Sequence, residues 1–153
     1  MKCLFVINDL ARAGAEKQAT LLARGLKALG WSVAIALIKE RNDFAEPLAA
    51  AEIPVTSLNR RGPLDLGAVL RLRREMREAS PDVVLSFLFL SNLLTVLASR
   101  GLNHRPRIVV SVRESYRRNL PGIQGFVARL IHQGADQTLF NSMGILREEQ
   151  AGF

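Results

Sequence analysis

Six short apolar runs, each followed by a stretch with helical spacing, limit most sharply what this chain can fold into. The runs are Lys2 to Ile7, Trp31 to Ile38, Ile53 to Leu58, Asp82 to Phe87, Arg107 to Val112 and Gln137 to Phe140. Those with few alternating polar positions read as strands buried on both faces, as parallel strands are. After Gly14, Ala15, Ala19, Leu22 and Leu26 recur at three- and four-residue steps; Leu66, Val69, Leu72 and Met76 do so after Asp65, the expected N-cap. Ile123, Phe126, Val127 and Leu130 mark a further buried helix face. A short helix is expected around Asp43 to Ala51, another over Leu90 to Arg100, and a last one capped by Ser142. Strands alternating with helices through short loops require a parallel sheet covered on both faces. Right-handed crossovers leave few arrangements, and the expected order is 3-2-1-4-5-6, a doubly wound α/β domain over residues 1–153.

In that order the switch point lies between strands 1 and 4. The loops after them, Asn8 to Glu16 and Phe87 to Asn92, then line a crevice, joined by the loop after strand 5. Free N–H groups and the positive end of the helix dipole gather at such a helix start. Gly14 between Ala13 and Ala15 leaves room for a phosphate, and Glu16 can hold a hydroxyl or cap the first turn. Close packing of the helix on strand 1 explains the same small residues equally well. Ser86, Ser91 and Asn92 interrupt an apolar segment at the switch point, where helix capping is the plainer account. Arg113 and Glu114 follow a buried strand into the crevice, a position for contact with a polar ligand.

The chain carries 21 Lys and Arg against 14 Asp and Glu, a net charge of +7, which points to an anionic partner. Arg60 and Arg61, with Arg117 and Arg118, are candidates for an anion- or membrane-facing rim, while Arg71 and Glu75 have the spacing of an ordinary helical ion pair. Nucleic acid fits poorly, because aromatic residues are few and no reading motif is present. Only Gly14 stands where a dinucleotide-binding turn needs three glycines, and there is no phosphate loop, metal-spaced Cys/His cluster or nucleophile elbow. No metal and no cofactor are expected. The single cysteine, Cys3, excludes an internal disulfide and reads as a buried structural thiol. Leu4 to Ile7 is too short for a signal-peptide core, and Val83 to Ala98 is too short and too polar for a membrane span. A cytoplasmic setting is expected. His104 and His132 read as solvated bystanders.

Taken together, several motifs resemble the N-terminal half of a GT-B fold retaining glycosyltransferase of the group called family 4 or group 1. Ala13-Gly14-Ala15-Glu16 is similar to that family's Gly-Gly-Ala-Glu after strand 1, and Gly30-Trp31-Ser32-Val33 and Ile53-Pro54-Val55 to its next strands. Ser80-Pro81-Asp82-Val83-Val84, Ser111-Val112-Arg113-Glu114, Ala135-Asp136 and Asn141-Ser142 continue the match in order. The resemblance implies a Rossmann-like acceptor-binding domain, with a nucleotide-sugar donor held mainly by a second domain and its diphosphate reached by the loop after strand 1. It implies retaining transfer of a hexose or N-acetylhexosamine to a glycan acceptor, lipid-linked or a cell-surface polysaccharide, with Glu114 and Arg113 as the catalytic candidates. Ser86, Ser91 and Asn92 would line the acceptor crevice, and the basic rim would lie at the inner face of the cytoplasmic membrane. Two positions depart from the pattern: Ala13 replaces the first glycine, and Arg113-Glu114 stands where relatives often have His. The match stops where the second domain would begin, so this chain is expected to be one piece of a two-domain enzyme, inactive alone. The alternative is a non-catalytic, membrane-recruiting acceptor-binding subunit of a split transferase.

Overall fold

The computed structural model describes residues 1–62, 65–114 and 123–150. Along the chain run β1 (Lys2–Ile7), α1 (Gly14–Ala28), β2 (Ser32–Leu37), α2 (Ala45–Ala50), β3 (Val55–Ser57) and α3 (Leu66–Ala79). Then follow β4 (Val83–Phe87), α4 (Phe89–Ser99), β5 (Arg107–Val112), α5 (Gln124–Gly134), β6 (Gln137–Phe140) and α6 (Met143–Gln150). The strands form one six-stranded parallel sheet in the order β3-β2-β1-β4-β5-β6, as expected from the sequence.

Central β1 shows why its run carries no polar alternation. Leu4 and Val6 point into the core under α3, α4 and α5, while Cys3, Phe5 and Ile7 point into the core under α1 and α2. Both faces are closed, so every side chain from Cys3 to Ile7 is buried. Burial pushes the Cys3 thiol up to about 11, as suits a packing residue.

Two aspartates fix neighbouring strands at their starts. Asp82, just before β4, accepts from the Lys2 N–H at 2.7 Å through its carboxylate, and its own N–H donates to the Lys2 carbonyl at 3.0 Å. Asp136, just before β6, does the same to Ile108 of β5 at 2.7 and 2.8 Å, and also pairs with Arg105 at 2.9 Å. Each aspartate therefore grips both polar groups of one residue on the adjacent strand, which sets the parallel register. At the other end of α1, Gly30 takes a left-handed turn with φ +84° and releases the chain into β2.

The helices seat on smaller residues than the apolar spacing suggests. The buried stripe of α1 is Glu16, Ala19, Thr20 and Ala23, whereas Leu22 is 44 % exposed. In α5 the stripe is Val127, Ala128 and Ile131, with Ile123 and Phe126 turned outward. In α3, Leu72 and Met76 are buried with Ala68, but Leu66 is exposed. Small side chains let a helix approach the sheet closely, and the larger neighbours then flank the contact. Asp65 precedes α3 as expected but does not cap it with its side chain. Its carboxylate accepts from the Arg61 N–H at 2.9 Å and pairs with Arg71 at 2.7 Å. Arg71 is thus tied back to the loop after β3, also donating to the Leu58 carbonyl at 2.6 Å, rather than to Glu75. The helical i,i+4 pair of α3 is Arg74 with Glu78.

His132 is no bystander. Half-buried on α5, it meets Thr138 of β6 through Nδ1 at 3.1 Å and faces the buried carboxylate of Glu149 on α6 at 3.7 Å. Burial lowers its pKa below the ordinary histidine value, and Glu149 opposes that shift. His104 is exposed as expected.

Candidate functional site

The carboxyl ends of β1, β4 and β5 lie side by side, and the connections that leave them diverge, with α1 going to one face of the sheet and α4 to the other. The loop after β1 is held from below by Leu10, which is fully buried. Its N–H donates to the Arg41 carbonyl at 2.8 Å and its carbonyl accepts from the Asp43 N–H at 2.9 Å, which ties the loops after β1 and β2 together. Between them opens a hollow of about 570 Å³, lined by Arg12, Gly14, Lys17, Asp43, Phe44 and Glu46 among others. Arg41 beside Asp43 holds that carboxyl below the usual carboxylate range.

The first turn of α1 faces this hollow without a cap. Ala13 occupies the N-cap position in extended conformation and supplies no side-chain acceptor to the N–H groups that follow. A Cβ placed on Gly14 would meet nothing within 4 Å. Packing on β1 therefore does not require glycine here, and the bare backbone fronts open space. Glu16, in the same turn, is only 8 % exposed and lies on the buried stripe. Its negative charge sits at the favourable end of the helix dipole.

Behind the mouth of the crevice buried polar bonds join α4 to β4, to β5 and to the loop after β1. The Ser86 hydroxyl donates to Asn92 Oδ1 at 2.7 Å, Asn92 Nδ2 donates to the Ser111 carbonyl at 3.1 Å, and the Ser91 hydroxyl donates to Asn8 Oδ1 at 2.7 Å. Ser86, Ser91 and Asn92 are all fully buried. They were expected to line the crevice; in this structure Ser86 and Asn92 bond each other and Ser91 bonds Asn8, which ties its walls together. Neither do they cap α4, whose N-cap is Leu88 with φ +71°. The Leu88 N–H also reaches the Ser111 carbonyl, at 3.3 Å, so the left-handed turn is pinned to β5.

Arg113 leaves β5 at the crevice and folds back over it. Its guanidinium stands 5.6 Å above the Phe87 ring, which in turn stacks on Phe5 at 5.8 Å. Nε donates to Ser111 Oγ at 3.0 Å and Nη1 to Gln18 Oε1 on α1. Partial burial lowers its pKa from the ordinary arginine value, and no carboxylate among the described residues pairs with it. Glu114 is exposed beside it. The sequence did not single out Gln18, Phe87 or the Asp43–Glu46 wall of the hollow. The strand order alone implies that the loop after β2 borders the loop after β1.

Of the basic rim, Arg60 and Arg61 follow β3 at one edge of the sheet, and Arg117 and Arg118 lie outside the described residues. The carboxyl end of β3 is four strand spacings from that of β5, or about 19 Å at ~4.8 Å per spacing. Among the described residues no helix is long and apolar enough to cross a membrane, and no cluster of His, Cys, Asp and Glu is placed to hold a metal ion.

The same architecture recurs in solved structures, glycosyltransferases among them. Anabaena Alr3699/HepE in complex with UDP superposes with a TM-score of 0.79 at 18 % identity, covering 99 % of this chain and 41 % of that one. The apo lipopolysaccharide outer core galactosyltransferase WaaB gives 0.76 at 17 % identity, with 99 % and 42 % covered. A glycosyltransferase from Rickettsia africae ESF-5 gives 0.71 at 13 % identity, with 95 % and 38 % covered. The chain thus spans about two-fifths of the length of these proteins. No curated protein matches it by sequence. The family model for the glycosyl transferase 4-like domain matches residues 13–148, from the uncapped start of α1 to α6. With that match added to the sheet order, the chain belongs to the glycosyl transferase 4-like family and forms the N-terminal, Rossmann-like half of a GT-B fold.

Proposed function

We propose that this domain is the acceptor-binding half of an enzyme that moves a hexose or N-acetylhexosamine from a nucleotide-sugar to a glycan acceptor, lipid-linked or a cell-surface polysaccharide. The observation that carries this reading is the uncapped α1 start, with bare Gly14 facing the hollow between the loops after β1 and β2, next to the switch point. Such a backbone suits the diphosphate of a donor whose nucleotide is held by a second domain. Alr3699/HepE has been solved with UDP-glucose, which makes UDP-sugars the first donors to test. Arg113, stacked and without an acidic partner among the described residues, stabilises negative charge that develops on the leaving diphosphate or resides on the acceptor. Glu114 orients the acceptor hydroxyl. Arg60, Arg61, Arg117 and Arg118 direct the enzyme to anionic lipid at the inner face of the cytoplasmic membrane, and the 153-residue chain alone turns over no donor.

The test is to extend the coding sequence past Phe153 and assay the resulting protein for consumption of a panel of nucleotide-sugars, with Arg113→Gln and Glu114→Gln beside it. Consumption of one donor, cut at least tenfold in both variants, supports the reading. A full-length protein that consumes none of them overturns it, as does robust transfer by the 153-residue chain. The membrane assignment fails separately if vesicles containing anionic lipid do not retain the protein at low salt.

A further inference from the structure

A second concavity lies at the opposite end of the sheet, where the chain enters β4 and β5. It has a volume of about 260 Å³ and is lined by Arg73 and Arg77 of α3 and by Asn103 and His104 of the α4–β5 connection, over Met76 and Leu102. No carboxylate lines it. Arg73 and Arg77 are one helical turn apart, where like charges repel. On the same helix Arg74 is neutralised by Glu78 at 2.6 Å, and across the loop Arg105 is neutralised by Asp136. Among the described residues Arg73, Arg77 and His104 have no ion pair. The dipole of α3 favours a cation in its last turn, which accounts for Arg77 but not for Arg73, a turn earlier.

The loop is shaped around this charge. Gly101 turns with φ +69°, and Arg73 Nη2 lies 3.1 Å from where its Cβ would stand. A side chain there would press on the guanidinium, which would have to give by a few tenths of an ångström. Two planar guanidinium forks with an amide and an imidazole make a donor set suited to a tetrahedral oxyanion, and the buried Met76 beneath offers an apolar floor for attached carbon.

We propose that this concavity is a phosphate-binding site, separate from the crevice and independent of the transferase reading. The phosphate belongs either to a lipid headgroup or to a small soluble phosphate ester. The test titrates the labelled 153-residue chain with inorganic phosphate and with methyl phosphate at constant ionic strength, chloride being the control. The backbone amides of residues 101–104 and the arginine Nε–H signals are followed by NMR. A saturable shift confined to these signals is expected, with apparent affinity falling at least tenfold in Arg73→Gln/Arg77→Gln, the change that about 1.4 kcal/mol produces. Flotation with phosphatidylglycerol vesicles, lost in the double variant and absent with phosphatidylcholine alone, assigns the phosphate to lipid; phosphate binding without flotation assigns it to a soluble ester. The proposal is overturned if phosphate shifts these signals no more than chloride does, or if the folded double variant binds phosphate as tightly as the parent. If the double variant does not fold, the shift pattern in the parent chain decides alone.

Discussion

Replacing Asn92 by alanine isolates what the buried network contributes. In the parent chain its amide accepts from Ser86 and donates to the Ser111 carbonyl, with no exposure to water. Truncation leaves the Ser86 hydroxyl buried without its acceptor, at a cost of about 1–3 kcal/mol. The Ser111 carbonyl loses less, because it keeps the Leu88 N–H at 3.3 Å; that bond's net loss is ~1 kcal/mol. The total is about 2–4 kcal/mol before any void is counted, a large part of the 5–15 kcal/mol typical of a domain. Chemical denaturation followed by far-UV circular dichroism reads this directly, and the melting temperature falls by roughly 4–16 °C. Ser86→Ala in the Asn92→Ala background removes the orphaned hydroxyl, so the double variant is less destabilised than the sum of the singles by about 1 kcal/mol or more. A single-variant cost under about 0.5 kcal/mol, or strict additivity, would refute the reasoning.

Other outcomes follow from the same geometry. Gly14→Ala meets no steric obstacle and removes backbone freedom, so the domain gains up to about 0.5–1 kcal/mol in denaturation; under the proposed donor-binding role of this turn, the full-length protein also loses affinity for UDP-glucose in a titration. Cys3, held up to about 11 when folded against an ordinary 9.0, stays protonated while the unfolded chain ionises. Stability therefore declines as pH rises above about 9, and at pH 8 a thiol reagent labels Cys3 only as fast as the chain opens. His132 has the opposite sense: its folded pKa is lowered from 6.5, so the stability it contributes is present above that value and is lost as pH falls through the folded pKa. Once the intrinsic slowing of exchange in acid is divided out, the protection factors of the α6 amides fall on acidification, and His132→Gln flattens that pH dependence.

The sheet was legible because burial on both faces writes itself into the runs, as at Cys3 to Ile7, and because handedness leaves few paths between them. Helix faces were less legible. Leu22 of α1 and Phe126 of α5 are exposed although large and apolar, since close approach to the sheet selects Ala19, Ala23 and Ala128 instead. Asp82 and Asp136 stood out in the sequence as parts of a family pattern, and the structure gives them work far from the crevice, gripping Lys2 and Ile108. Ser86, Ser91 and Asn92 were visible as interruptions of an apolar stretch, but their partners Asn8 and Ser111 are distant in sequence. The Arg113 stack on Phe87 had no local signal, because it depends on β4 and β5 being neighbours.

A core that had only to fold would have little use for polar groups at the ends of β4 and β5. Matched apolar replacement of both members of a buried hydrogen-bonded pair is often neutral or stabilising. Ser86→Ala with Asn92→Leu tests whether the pair serves stability or position. Leucine is close to asparagine in volume, so the double variant should unfold within about 1 kcal/mol of the parent. Position fares differently, because apolar side chains cannot fix the direction of the Leu88 turn or the spacing between α4 and the Ser111 carbonyl. Amide exchange in residues 88–92 and 111–114 should then quicken at least tenfold although global stability is unchanged. A double variant that keeps both stability and slow exchange would mean that backbone pairing alone, Leu88 to Ser111, shapes the crevice, and that the buried network is dispensable to it.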